Sequence, residues 1–193
     1  ENGKIINERT TKVKVTNVWV DDYVDSPTFV KVQLQSKTED EETPINCGDA
    51  VMLSEKNGNW SNEWNSLPQY RNGKVIEYSV VKLNEDKNYN VQYEKVDKTS
   101  IVIYNIQKRN VNVKIKWINE IDETTRPKTV IVNIFKPGKT VAETTKIIGP
   151  DENGDWKGTF EGLDKFDIHG NEINYVVKPN DVDEYEAMVE KNN

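Results

Sequence analysis

The sequence predicts an all-β protein organised as two tandem β-sandwich domains. Three observations carry that prediction. The first is composition: 23 Val and 16 Ile stand against 5 Leu and 3 Ala in 193 residues. Helices favour the reverse ratio, whereas β-branched side chains suit a pleated, half-buried surface. The second is a period of two, as in Val13, Val15, Asn17 and Trp19, which alternate with Lys12, Lys14, Thr16 and Val18. The third is self-similarity at a spacing near 97 residues. Trp19 recurs as Trp117, Pro27 as Pro127, Trp60 as Trp156, Gly73 as Gly170, Tyr78 as Tyr175 and Tyr89 as Tyr185. That spacing is too long for a solenoid and suits an array of small domains.

The elements follow in order. In the first copy, alternation and β-rich composition predict strands ending at Trp19, then over 29–35, 60–64, 75–81, 89–94 and 100–106. In the second they predict strands over 111–117, where Val111, Val113, Ile115 and Trp117 alternate with polar residues, and over 129–135, 156–160, 172–177 and 185–189. Asn57-Gly58, Asn72-Gly73, Pro137-Gly138, Asn153-Gly154 and His169-Gly170 punctuate them as turns. Short strands spaced by such turns make a sandwich. The domains span 8–106 and 107–193. Gln107-Lys108-Arg109-Asn110 reads as a short connection lacking Gly/Ser character, hence a limited hinge and an elongated pair.

Composition also excludes functions. The net charge is −7, from 26 basic and 33 acidic residues. Nucleic acid and anionic membranes require a concentrated positive field, so neither is a partner. No apolar run reaches the ~18 residues of a membrane span, so no membrane insertion is expected in this segment, and no signal peptide opens the chain. Cys47 is the only cysteine and His169 the only histidine, both in turn-like contexts. An intrachain disulfide, a Cys/His metal site and a His-based triad are thereby excluded. No phosphate loop or nucleophile–base arrangement is present, so no enzyme and no cofactor are expected.

The ordered motifs resemble the Cna B-type domain, the repeat unit of collagen-adhesin stalks and of many Gram-positive surface proteins. They are Val18-Trp19 followed by Asp21-Asp22, Arg126-Pro127 before the next strand, the tryptophan strands leading to Leu67–Gly73 and Leu163–Gly170, and the tyrosine strands at Tyr78 and Tyr175. The resemblance covers the whole chain as two domains. It implies inverse-Ig, prealbumin-like sandwiches and a mechanical, wall-anchored, extracellular role.

Many members of that family carry a spontaneous Lys–Asn isopeptide bond promoted by a buried acid. The resemblance places its lysine two residues before the first-strand tryptophan, where this chain has Asn17 and Ile115. The acid belongs four residues after the tyrosine, where it has Lys82 and Pro179. The last-strand asparagine has a counterpart in Asn105. The reaction needs a neutral amine and a carboxyl to shuttle protons, so neither domain is expected to form the bond. The alternative is a register shifted by one, turning Lys14 or Lys116 inward; it would expose Trp19 and Trp117.

Asn7 precedes Trp19 by the same 12 positions that separate Asn105 from Trp117. Gly3, Lys4, Ile5, Ile6 and Asn7 therefore resemble the last strand of a preceding domain, and the second copy reads as lacking its own. Either residues 3–7 complete the second domain of another chain by head-to-tail strand exchange, or the N-terminus frays and the second domain closes without that strand.

Recurring Trp19, Trp60, Trp117 and Trp156 read as core, as does Trp64, which aligns with Phe160; Tyr23, Tyr70 and Tyr104 read as exposed rings. Glu39–Glu42 reads as a solvated loop tip. Asp151–Asp155 reads as an Asn-Gly hairpin, with weak calcium binding as the alternative. Two functions compete. One is a structural stalk of a bacterial cell-wall-anchored adhesin, partnered by neighbouring repeat domains. The other is an adhesive module that binds a host matrix protein or a glycan.

Overall fold

The computed structural model describes residues 8–22, 27–57, 59–118, 124 and 126–189. It is β-structure throughout, with no α-helix among the described residues. The chain divides into two compact units, Glu1–Gln107 and Lys108–Asn193.

In unit 1 the strands are β1 (Thr10–Val20), β2 (Val30–Lys37), β3 (Ile45–Asn46), β4 (Val51–Leu53), β5 (Ser61–Pro68), the short hairpin β6 (Tyr70–Arg71) and β7 (Lys74–Val75), β8 (Glu77–Lys82), β9 (Tyr89–Lys95) and β10 (Ser100–Ile115), of which residues to Gln107 belong here. One sheet runs β5–β1–β10–β9. β1 and β10, the first and last strands of the unit in sequence, are neighbours there and run parallel, from Lys14 opposite Ser100 to Val20 opposite Ile106. β5 and β9 flank them antiparallel. In the other sheet β2 carries β8 on one edge and shares the other between β3 and β4. Gln33 bridges the gap between these two short strands: its Nε2 donates to the carbonyls of Leu34, Cys47 and Gly48 at 2.9, 3.3 and 3.2 Å.

The sheets face each other through one core. Val13, Val15, Ile101 and Ile103 meet Val30, Val32, Leu34, Leu53, Ile76, Tyr78 and Val80. The period of two puts these residues on the inner faces. Each fully buried aliphatic side chain contributes about 1.5–3 kcal/mol.

Unit 2 reuses the plan. The second half of β10 pairs antiparallel with β13 (Trp156–Asp164), and β11 (Val130–Phe135) lies between β12 (Thr144–Ile148) and β14 (Val176–Pro179). Val130, Val132, Ile134, Ile148, Trp156, Phe160, Leu163, Ile173 and Tyr175 form its core. The register slip between Thr11 and Val13 in unit 1 recurs between Arg109 and Val111 in unit 2.

Three expectations are corrected. Gln107–Asn110 is strand, not connection: Gln107 pairs with Tyr89, and Lys108 and Arg109 pair with Asp164 and Leu163. Polar residues mimic a linker there because the segment serves two ladders. The strand expected over 172–177 lies at Val176–Pro179. Residues 185–189 form no strand; a single bridge joins Val182 and Tyr185. Alternation is present in Tyr185, Ala187 and Val189, but a strand needs a ladder. The equivalent β9 pairs with residues 101–107 of β10, and no strand in that role exists among the described residues of unit 2.

Candidate functional site

The positions singled out in the first copy converge at one place inside unit 1. Asn17 on β1 and Asn105 on β10 are only 4% and 0% exposed. The strand register sets Asn105 opposite Trp19 and Asn17 opposite Ile103. Asn105 Nδ2 donates to Asn17 Oδ1 at 2.6 Å and to the Val18 carbonyl at 3.2 Å. Lys82, at the end of β8 in the opposite sheet, donates its Nζ to Asn105 Oδ1 at 2.6 Å. The three side chains thus form a hydrogen-bonded chain across the sandwich.

Electrostatics suit that position. The Lys82 ammonium lies 5.5 Å from the centroid of the Trp19 ring, within cation–π range. Burial pulls its pKa below the ordinary 10.5, and the charge of Asp86 partly opposes the shift. Asn17 Nδ2 and Trp19 Nε1 are buried without a hydrogen-bond partner among the described residues. Trp19 packs edge-on against Trp60 at 5.6 Å and Tyr89 at 4.9 Å, and Tyr89 donates its hydroxyl to Asp21 at 2.6 Å.

Unit 2 keeps the aromatic frame and replaces the polar chain. Trp117 meets Trp156 at 5.1 Å and Tyr185 at 4.8 Å, again edge-on. Ile115 packs on the second core, and Pro179 pairs with Val132 in the β11–β14 ladder. Tyr78 and Tyr175 occupy equivalent places and donate to the carbonyls of Pro68 and Asp164 at 2.8 and 3.0 Å. Burial, and then the neighbouring Asp164 charge, push the Tyr175 pKa up to about 12.

The model of the Cna protein B-type domain matches this chain twice, over residues 13–106 and 111–193. The chain belongs to that family. The collagen adhesin of Staphylococcus aureus is 28% identical over 188 residues, covering 92% of this chain and 14% of that protein. The chain therefore spans about a seventh of this curated relative. The crystal structure of two B repeat units of the S. aureus collagen binding protein aligns with 27% identity over 91% of this chain and 46% of that one, at a TM-score of 0.43. The pilus adhesin SpaC of Lactobacillus rhamnosus GG aligns with 18% identity over 81% of this chain and 20% of that one, at a TM-score of 0.44.

Within the first B-type domain, sequence reasoning named Asn17, Lys82 and Asn105 but missed that Lys82 itself reaches Asn105. The signal was available: Lys82 shares its parity with the buried Tyr78 and Val80. Lys14 and Lys116, the other lysines weighed, are exposed. Gly3, Lys4, Ile5, Ile6, Asn7 and Tyr23 lie outside the described residues.

The remaining candidates resolve into turns and surface. Asp151 Oδ1 accepts the backbone N–H groups of Asn153 and Asp155, both at 2.9 Å, and closes a turn with Gly154 at φ +78°. No cluster of three metal-ligating side chains lies among the described residues. The acidic loop is more than a solvated tip: Glu41 takes a two-pronged bond from Arg71 at 2.7 and 2.9 Å. The Thr38 N–H and then Arg71 hold the Glu41 carboxyl below its ordinary pKa. Glu39 pairs with Lys74. Tyr70 is exposed as expected; Tyr104 is only partly so, its hydroxyl donating to Glu94 at 2.8 Å. No described helix is long and apolar enough to cross a membrane.

Proposed function

We propose that the chain is a non-enzymatic stalk segment of a Gram-positive, cell-wall-anchored surface adhesin. Its two B-type domains, 8–106 and 107–193, stand in series with neighbouring repeats, without an intramolecular isopeptide bond. The observation that carries this reading is the Asn17–Asn105–Lys82 chain. Where the family resemblance implies a nucleophilic lysine, an asparagine accepts a hydrogen bond; where it implies the acid, a lysine donates one. Among the described residues no carboxylate hydrogen-bonds to Lys82 or Asn105, so nothing there shuttles protons. Ile115 and Pro179 supply no reactive group in the second domain. The surface location is supported by the family match and by the relative named as a collagen adhesin.

Intact-mass spectrometry tests the uncrosslinked state. The mass should equal that of the sequence; a deficit of one ammonia per domain would refute it. A stalk should also show no saturable binding to immobilised matrix protein or glycan arrays, and saturation would transfer the role to an adhesive module.

Strand exchange belongs to the same reading. Among the described residues, 111–115 of β10 pair with β13 on one edge and with no strand on the other. The unit 1 register, transferred, sets Ile5 opposite Ile115 and Asn7 opposite Trp117. Concentration-dependent dimers that vanish on Ile5→Asp substitution are expected, and a monomer at all concentrations would count against exchange.

A further inference from the structure

We infer that unit 1 bears tension in shear, through the parallel β1–β10 ladder locked by its buried amide pair. The inference takes its setting from the stalk reading and its content from the strand register.

Chain tension reaches unit 1 at the start of β1 and leaves it at Gln107, where β10 passes into unit 2. β1 and β10 are hydrogen-bonded neighbours that run parallel. Pulling β1 by its N-terminal end and β10 by its C-terminal end drives the two strands past each other along their common axis. The whole ladder from Lys14–Ser100 to Val20–Ile106 then carries load together. Had the strands been antiparallel, the same two ends would lie side by side and the bonds would open one at a time. Forced unfolding is governed by the unfolding barrier, so this difference sets strength independently of equilibrium stability.

Side chains make the register costly to slip. Sliding by one residue turns every inward side chain of β10 outward, exposing Ile101 and Ile103. Sliding by two keeps the face but separates Asn105 from Asn17 and from the Val18 carbonyl. Both amides are buried, so water does not replace those bonds as they stretch. The Lys82–Asn105 bond adds a tie from β10 to the opposite sheet. The polar chain therefore sits where a sliding β10 must break it.

The test is single-molecule pulling of the full 193-residue chain in two geometries, with cysteine handles in a Cys47→Ser background. Handles at Glu8→Cys and Lys108→Cys load the ladder in shear. Handles at Asp22→Cys and Lys108→Cys grip the adjacent C-terminal ends of β1 and of the unit 1 part of β10, and peel them. At one loading rate the shear rupture force should be at least about twice the peeling force. Asn105→Ala should lower the shear force more than Val80→Ala does at matched thermal stability. Equal forces in the two geometries would overturn the inference, as would equal losses from Asn105→Ala and Val80→Ala.

Extension separates this outcome from the stalk reading. In shear geometry about 100 residues lie between the handles, about 340 Å of contour at roughly 3.4 Å per residue. A release shorter by the 82–105 or 17–105 loop would reveal a covalent tie. That would refute the uncrosslinked reading while the force ratio still judged the shear ladder.

Discussion

Asn105 is the hub of the buried polar chain in unit 1. Its carboxamide is wholly buried, accepts from Lys82 and donates to Asn17 and Val18. Asn105→Ala leaves a half-buried ammonium without this acceptor and two oxygens without this donor. At about 1–3 kcal/mol per orphaned buried group, a loss of roughly 2–4 kcal/mol is expected in urea unfolding. Asn105→Asp tests the charge: a carboxylate beside Lys82 should recover part of that loss. Lys82 also sets a pH dependence. Its folded pKa lies below the unfolded 10.5, so the unfolded chain binds more protons between the two values. Stability contributed at this residue therefore rises with pH across that window. Tyr78, Tyr104 and Tyr175, whose folded pKa values are raised, act oppositely from about pH 10 upward. The wild type should thus gain on Lys82→Met as pH rises through the folded Lys82 pKa towards 10.5, the tyrosines being common to both proteins, measured by denaturant midpoints. An unchanged difference would show that the ammonium is not desolvated.

At the level of elements, a glycine where β13 packs on β12 sets the next prediction. A Cβ on Gly158 of β13 would stand 2.6 Å from Ile148 Cδ1 on β12. Ile148 is buried and cannot swing into solvent. Gly158→Ala should cost about 1–3 kcal/mol by overpacking. Ile148→Val removes the offending methyl, so the double variant should lose less than the two single variants summed, by a double-mutant cycle. Additivity would mean that β12 and β13 can spread. The strand corrections belong to this scale as well. The pattern at 185–189 has the right alternation but lacks a ladder partner, and 107–110 has linker-like composition but two of them. A strand is defined by its neighbour, which period two does not report.

For the molecule as a whole, each unit encloses its own aliphatic core. Leu34→Ala and Ile134→Ala should each cost about 2–5 kcal/mol in the unit that holds them, because both side chains are fully buried. Amide hydrogen exchange checks this: Leu34→Ala should deprotect β2 and β8, and Ile134→Ala should deprotect β11 and β14. The converse pattern would contradict the separate cores. The β class, the two-fold repeat, the aromatic frame of Trp19 and Trp117 and the buried parity of Asn17 are legible in the order of residues alone, since all are local periodicities or recurrences. Resemblance also placed Asn105 and Lys82 at positions of interest. The reach of Lys82 across the sandwich to Asn105, the parallel pairing of β1 with β10 and the strand character of 107–110 emerge only in the folded chain. Those are pairings between residues far apart in sequence, governed by which surfaces meet, and no local pattern encodes them.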